Sequence, residues 1–559
     1  MIHGKLAAML SLAPVGREPN LLDRALPTLT DQAQIFDVRL TIALVMLGLF
    51  LVALAWRSLG GFAAKLDERT RARANLALTA ALVVAALASS INYFYAERNN
   101  GVWLHRWDAF HTVMGGKYFD ELGYFDLYLC ANAIDQQGPR RLRGVDEIRD
   151  LRTQKIVPAQ QLLAGNDCAE RFTPARLEQF RHDLDQFTEF SNPGMWKDLF
   201  KDKGFNGTPF YLWVTKQLGA RVDVDLVGIR RLAIIDVVLM LLAFAALGWA
   251  YGVRTAAIVA IYFCVDFPNR FEHMGGSILR FDYVAALLIG FAAIKRGHWG
   301  VAGGLMAWAT MVRVFPAVFV LGLAIHAGLE WRETKQWRPE HKRFAAVFVT
   351  ACALMLMISL VGLEGGWHNY LTWAEDMKVH TQTSAAFRIG FRHMFMLEGN
   401  LEGPEGFVGY GTKAKAFAKV GLIYWLAVAA LLAPLIRSAR KLDVITFACL
   451  FGVFGFFLFT IATRYYYAVL CVLLLVDRDL LKDRYAIGLG TLLFAGSAFN
   501  FWYWQKNDFA PFMYNHVIGT ELTLTIVAVG VELYFDPTFG ASPPKPAQPD
   551  QGIGTSTSA

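Results

Sequence analysis

Apolar residues in this chain gather in long unbroken runs and do not alternate with polar ones at strand or surface-helix spacing. Thirteen runs stand out, at 40–56, 76–93, 232–251, 256–267, 283–294, 301–312, 317–328, 344–363, 420–436, 444–460, 467–476, 487–504 and 518–535. Several fall short of the ~20 residues that a perpendicular helix needs to cross a bilayer. Basic residues decide how they are counted, because Lys and Arg in short loops stay on the cytoplasmic side. Lys295 and Arg296 before one stretch, and Arg332, Lys335, Arg338, Lys342 and Arg343 after it, both read as cytoplasmic, so the chain between them crosses and returns. The turn is expected from Arg313 to Pro316, since proline disfavours helix at the residue before it. Arg313 then lies near the outer face. The expected fold class is all-α: a polytopic membrane protein with about 11–14 transmembrane helices.

The same logic divides the chain. Residues 1–39 form an N-terminal segment of mixed polarity, whose apolar stretch at 6–15 contains Pro14 and no small-residue cleavage pattern, so no signal peptide is expected. The first two spans occupy 40–93, with the basic loop Arg57, Lys65, Arg69, Arg71 and Arg73 between them inside. Residues 94–228 form a large extracytoplasmic subdomain, in which a helix is expected to open at Pro174 with Thr173 as its cap. A bundle follows at 229–363, a second outer loop at 364–416, a C-terminal bundle at 417–535 and a disordered Pro-, Gly-, Ser- and Thr-rich tail at 536–559. The N-terminus is expected outside, and no internal repeat is visible.

Composition sharpens this picture. The 559 residues are 55% hydrophobic and 18% charged, which excludes an ordinary water-soluble domain of this length. The net charge of +7 is absorbed by the cytoplasmic loops as a topology signal, so nucleic acid is not an expected partner while membrane lipid is. Of six cysteines, Cys264, Cys352, Cys449 and Cys471 fall in apolar runs and are expected to pack as small hydrophobes. Cys130 and Cys168 share the extracytoplasmic subdomain, where an oxidising compartment would preserve a disulfide. No zinc-like Cys/His spacing occurs, and no metal or cofactor is expected.

The residues that could carry chemistry concentrate just after the second span, from Trp103 to Tyr128. Asp108 should sit at the outer membrane surface, where a carboxylate can take a proton from an acceptor hydroxyl; it would equally pair with Arg106 or cap a helix. Arg280, Arg313, Arg388, Arg392 and Arg464 all fall at outer helix ends in this topology. Each alone would serve by snorkelling to head groups, whereas several on one face suit a shared anion, since the guanidinium fork matches phosphate. Asp236, inside an apolar run, is expected to pair with Arg231 or a neighbouring helix.

An aspartate after an outward span, then aromatics, a glycine, a tyrosine and the phrase LGYFDLY at 122–128, resembles the first outer loop of GT-C fold glycosyltransferases. The segments Gly275 to Tyr283 and Gly300 to Pro316 are similar to the outer turn and the basic-x-x-Pro element of the polyprenol-phosphate-mannose-dependent mannosyltransferases, glycosyltransferase family 87. The resemblance covers roughly residues 76–130 and 270–330, with Arg313 standing where relatives commonly have lysine. It implies a GT-C-like bundle in a plasma membrane, such as a bacterial inner membrane, with its active site outside the cytoplasm. It further implies an inverting transfer of a sugar from a polyprenyl-phosphate donor to a glycan or lipid acceptor. Asp108 would be the base, Arg464 foremost with Arg313, Arg388 and Arg280 the donor-phosphate ligands, and His111, Tyr118, Glu121, Glu272 and His273 substrate contacts. The competing class is a transporter or lipid flippase, which the hydropathy alone would also permit; transporters tend toward repeated halves and midplane charges.

Overall fold

The computed structural model describes residues 32–58, 67–94, 103–142, 144–191, 193–382, 388–395, 410–476, 479–506 and 516–535. The expected tail at 536–559 and most of the N-terminal segment lie outside these residues. The chain is an all-α membrane protein. Its helices in and beside the bundle are α1 (Gln32–Ser58), α2 (Glu68–Ser90), then, after the hydrophilic subdomain and its helices α3 (Leu127–Gln136), α4 (Pro174–Glu189) and α5 (Pro209–Gly219), α6 (Leu226–Tyr251), α7 (Val253–Val265), α8 (Asp282–Lys295), α9 (Trp299–Val312), α10 (Ala317–Thr334), α11 (Pro339–Gly362), α12 (Trp367–Gln382), α13 (Tyr410–Ser438), α14 (Val444–Phe459), α15 (Arg484–Lys506) and α16 (Ile518–Phe535), with a 3₁₀ segment at Arg464–Leu474.

Every one of the thirteen apolar runs becomes a helical segment, but the segments differ in length. Among the described residues, six helical stretches are long and apolar enough to cross a bilayer alone: Ile35–Arg57, Glu68–Phe94, Leu226–Tyr251, Pro339–Gly362, Phe417–Ser438 and Ile518–Phe535. The others are mostly too short; α7, with 13 residues, reaches only about 20 Å at 1.5 Å per residue, against a hydrocarbon thickness of about 30 Å. Length and burial go together. In α7 every residue from Thr255 to Val265 is buried, and in α14 every residue from Ile445 to Leu458. The long helices turn exposed apolar faces outward, such as Val349, Leu354, Met357 and Val361 of α11. Hydropathy locates apolar helix without saying whether lipid or protein covers it.

The expected turn at Arg313 is present: α9 ends at Val312, Arg313 is extended (φ −144°, ψ 113°), and Pro316 leads into α10. α8 packs on α6 and α9, α9 on α11, and α10 on α14. The 364–416 segment contains α12, a run without Gly or Pro whose polar surface hides it from a search for apolar runs.

In the hydrophilic subdomain, α4 opens at Pro174 with the Thr173 side chain accepting the Arg176 N–H, as its residues dictate. A two-stranded antiparallel hairpin, β1 (Glu147–Asp150) and β2 (Lys155–Pro158), pairs Ile148 with Val157. The core is aromatic, with Phe110, Phe180, Phe187, Trp196 and Phe200 fully or almost fully buried. Cys130 and Cys168 are joined by a disulfide.

Candidate functional site

Asp108 lies in the short helix Arg106–Ala109, which runs straight into a wider π-type turn at Phe110–Met114. The His105 ring fixes its start by accepting the Asp108 N–H through Nδ1 at 3.1 Å. The turn docks on the segment Gly275 to Asp282. His105 N–H donates to Gly276 C=O at 3.1 Å, Ile278 N–H donates to Asp108 Oδ2 at 2.9 Å, and the Arg280 guanidinium forms an ion pair with Asp108 Oδ1. Asp108 therefore pairs with Arg280, not with its sequence neighbour Arg106.

Two glycines allow this approach. A Cβ at Gly275 would stand 2.0 Å from the Tyr93 carbonyl oxygen, and one at Gly276 would stand 2.6 Å from the Leu104 Cα. Gly276 also has φ +74°, a conformation that costs other residues about 1–3 kcal/mol before any clash. Gly276→Ala is accordingly expected to lower thermal stability and to impair whatever Asp108 does, and an unchanged melting temperature would refute the docking.

Asp236 secures the other end of the segment. Its carboxylate, fully buried in α6, accepts the N–H groups of Arg280 at 2.6 Å and Phe281 at 3.1 Å. It bonds to a neighbouring helix start and not to Arg231. Its burial in an apolar run was the one sequence signal for this role, because intramembrane carboxylates rarely lack a specific duty.

Around Leu279 the cationic groups converge. Arg313 Nη2 donates to Leu279 C=O at 3.4 Å, and its Cζ lies 4.0 Å from the Tyr211 ring centroid. Tyr211, which the sequence did not single out, donates to the Ile278 and Leu279 carbonyls at 3.3 Å each. Arg280 lies over the Tyr465 ring at 4.3 Å. Arg388 belongs to β3 (Arg388–Ile389), paired with β4 (Ala462–Thr463) in the register Arg388 to Thr463, and it lies within electrostatic reach of Tyr465 and Tyr466. Arg280, Arg313 and Arg388 are thus each within electrostatic reach of one or both of these tyrosines.

No protein-family model, curated protein or solved structure matches the chain.

The remaining candidates make other contacts. Arg464 precedes Tyr465, but its charge acts on Arg39, whose guanidinium forms a buried ion pair with Glu272; the second Glu272 oxygen accepts from Arg270 Nε at 2.6 Å. The structure puts Glu272 in that cluster, and His273 against the His105 ring. Tyr118 donates to Asp183 at 2.6 Å, and Glu121 pairs with Arg176 at 2.6 Å, both inside the subdomain. His111 is bonded to the Tyr128 hydroxyl, and burial pushes its pKa down, so it stands as a neutral ring. Arg392 lies 4.0 Å over the Phe417 ring. Among the described residues no group of three His, Cys, Asp or Glu side chains could hold a metal ion.

Trp107 carries the site toward the subdomain by donating to Asp202 at 3.0 Å. Next to it, burial with Arg388 and Arg149 pulls Lys203 from its usual 10.5 to about 7, while burial lifts Asp376 in α12 to about 6 despite Lys203. Both shifts disfavour the charged form in the folded state. Between about pH 4 and 6 the folded chain holds the Asp376 proton more tightly than the unfolded chain, so this contribution falls as pH rises. Between about pH 10.5 and 7 the unfolded chain binds the Lys203 proton more tightly, so stability falls as pH drops. The pair's contribution to melting temperature should be lowest between about pH 6 and 7. Lys203→Met should remove the alkaline limb and Asp376→Asn the acid limb; a parallel pH profile in both variants refutes the assignment.

Proposed function

We propose that the chain is a glycosyltransferase that moves a sugar from a polyprenyl-phosphate donor to an acceptor hydroxyl, with inversion, on the extracytoplasmic side of a plasma membrane, within a GT-C-like bundle. The observation that carries this reading is the joining of Asp108, Arg280 and Arg313 through one backbone segment, residues 278–280, at the shared end of α8 and α9. A carboxylate and two guanidiniums are the groups such a transfer needs side by side. The acceptor oxygen attacks the anomeric carbon, the bond from that carbon to the phosphate oxygen breaks, and the acceptor proton passes to Asp108. The departing polyprenyl phosphate gathers negative charge, which fixed cationic donors stabilise.

Asp108 keeps capacity for this task. A carboxylate offers about four lone-pair positions, of which Ile278 N–H and Arg280 take two. Arg280 is suited to shift part of its hydrogen bonding to the incoming phosphate, leaving the carboxylate more basic as the donor settles. Tyr465 supplies an aromatic face against which Arg280 holds its plane.

Purified protein supplied with polyprenyl-phosphate sugars and a lipid or glycan acceptor should release polyprenyl phosphate with formation of a new glycosidic bond. Movement of such lipids or solutes across vesicle membranes without bond cleavage would overturn the proposal in favour of a transporter or flippase.

A further inference from the structure

A dense basic corner lies at the far end of α9 from Arg313, where the proposed transfer does not reach. α10 ends at Thr334 and α11 begins at Pro339, and the turn between them passes through Lys335 at φ +55°. Trp331 and Trp337 stack across it, with ring centroids 5.6 Å apart and planes at 16°. Both rings stay exposed, and Lys335 Nζ lies 5.4 Å from the Trp331 centroid. Exposed tryptophans at a helix end are suited to the membrane–water interface. On the other side, Trp299 at the start of α9 meets the His341 ring at 5.3 Å.

Carboxylates do not balance this corner. Glu330 is engaged by Arg338 and lies 3.9 Å from His341, and Glu333 is engaged by Arg440. Arg332, Lys335, Lys342 and Arg343 are all exposed, and among the described residues none of the four pairs with a carboxylate. Even with Glu340 beside them, positive charge dominates.

The depth of two of these cations follows from α11. From Phe344 to Gly362 the helix has no charged side chain, a stretch of about 28 Å against a hydrocarbon layer of about 30 Å. Lys342 and Arg343 therefore stand where head-group phosphates gather. A Cβ at Gly300 would meet Arg343 Cγ at 3.5 Å, so the start of α9 supports the Arg343 stem. Below Lys342, the exposed residues Ala346, Val349, Ala353 and Met357 recur at three- and four-residue spacing and form one apolar face. Every phospholipid has a phosphate that such cations can bind, but a choline head brings its own positive charge. The surplus here suits a lipid with a net negative head.

We propose that the α10–α11 corner is a docking site for an anionic phospholipid, with its phosphate against Lys342 and Arg343 and an acyl chain along the Ala346–Met357 face of α11. This site does not depend on the transfer reaction.

Native mass spectrometry of the full-length protein, taken from micelles with equal phosphatidylcholine and phosphatidylglycerol, would count bound lipids by class. The wild-type protein should retain phosphatidylglycerol in excess. Each basic residue near a membrane surface is worth about fivefold in affinity, so Lys342→Gln with Arg343→Gln should weaken phosphatidylglycerol binding about 25-fold and spare phosphatidylcholine. Arg332→Gln with Lys335→Gln, on the adjoining turn, should weaken it in the same direction, which keeps the test open if the first variant folds poorly. Arg69→Gln with Arg73→Gln removes the same charge from exposed positions of α2 and should leave the binding unchanged. Equal retention of both lipids by the wild-type protein, unchanged binding in the two corner variants, or an equal loss in the α2 variant overturns the proposal, the last by assigning the attraction to overall charge.

Discussion

Asp108→Asn should reduce sugar transfer by about 10²–10⁴-fold, the contribution of a positioned general base. The substitution is nearly isosteric, and its amide oxygen can still accept Ile278 N–H. It removes the counter-charge of Arg280, however, so some loss of stability is expected as well. Asp108→Glu separates the two effects: the charge remains while the carboxylate moves by about one methylene, and a displacement of about 1 Å can cost 10²-fold in rate. A folded Asp108→Glu protein with strongly reduced turnover would place the defect in positioning. Full activity in Asp108→Asn would remove Asp108 from the reaction altogether.

Loss of the Cys130–Cys168 disulfide should have the largest effect on the subdomain. The bridge spans 38 residues, and closing a loop of that size removes about 4 kcal/mol of chain entropy from the unfolded state. Cys130 lies on α3 two residues beyond Tyr128, which bonds His111 in the turn following Asp108. Cys130→Ser with Cys168→Ser, or reduction of the native bridge, should increase tryptic cleavage at the exposed Arg140 and Arg141 and lower transfer indirectly. Equal resistance of oxidised and reduced protein to trypsin would refute this.

Much of the scaffold is written locally in the sequence. Long apolar runs, a proline after Arg313, and a Thr-Pro pair before α4 depend on near neighbours, and each gives the element its residues suggest. The topology implies that Asp108 and the outer-end arginines share one side, but not that they touch. What the sequence does not spell out is direction. Arg464 is next to Tyr465 in the chain, yet its charge acts on Arg39 while Tyr465 lies under Arg280. Glu272 looks like any loop carboxylate until α1 brings Arg39 to it across 233 residues. Tyr211 likewise acquires its place only when α5 meets the carbonyls of Ile278 and Leu279. These are long-range encounters, and no period or cap encodes them.

The brevity of α8 and α9 sets a depth. Each has 14 residues, or about 21 Å of rise, and both have their other ends near Lys295, Arg296 and Trp299. If those basic residues mark one membrane boundary, Asp282 and Arg313 stop about 9 Å short of the opposite edge of a 30 Å hydrocarbon layer. Such a floor would be sunken, ringed by the taller α6 and α11. In the proposed transfer, a lipid carrier would dip its head below the surrounding bilayer level to reach it while its tail stays in hydrocarbon.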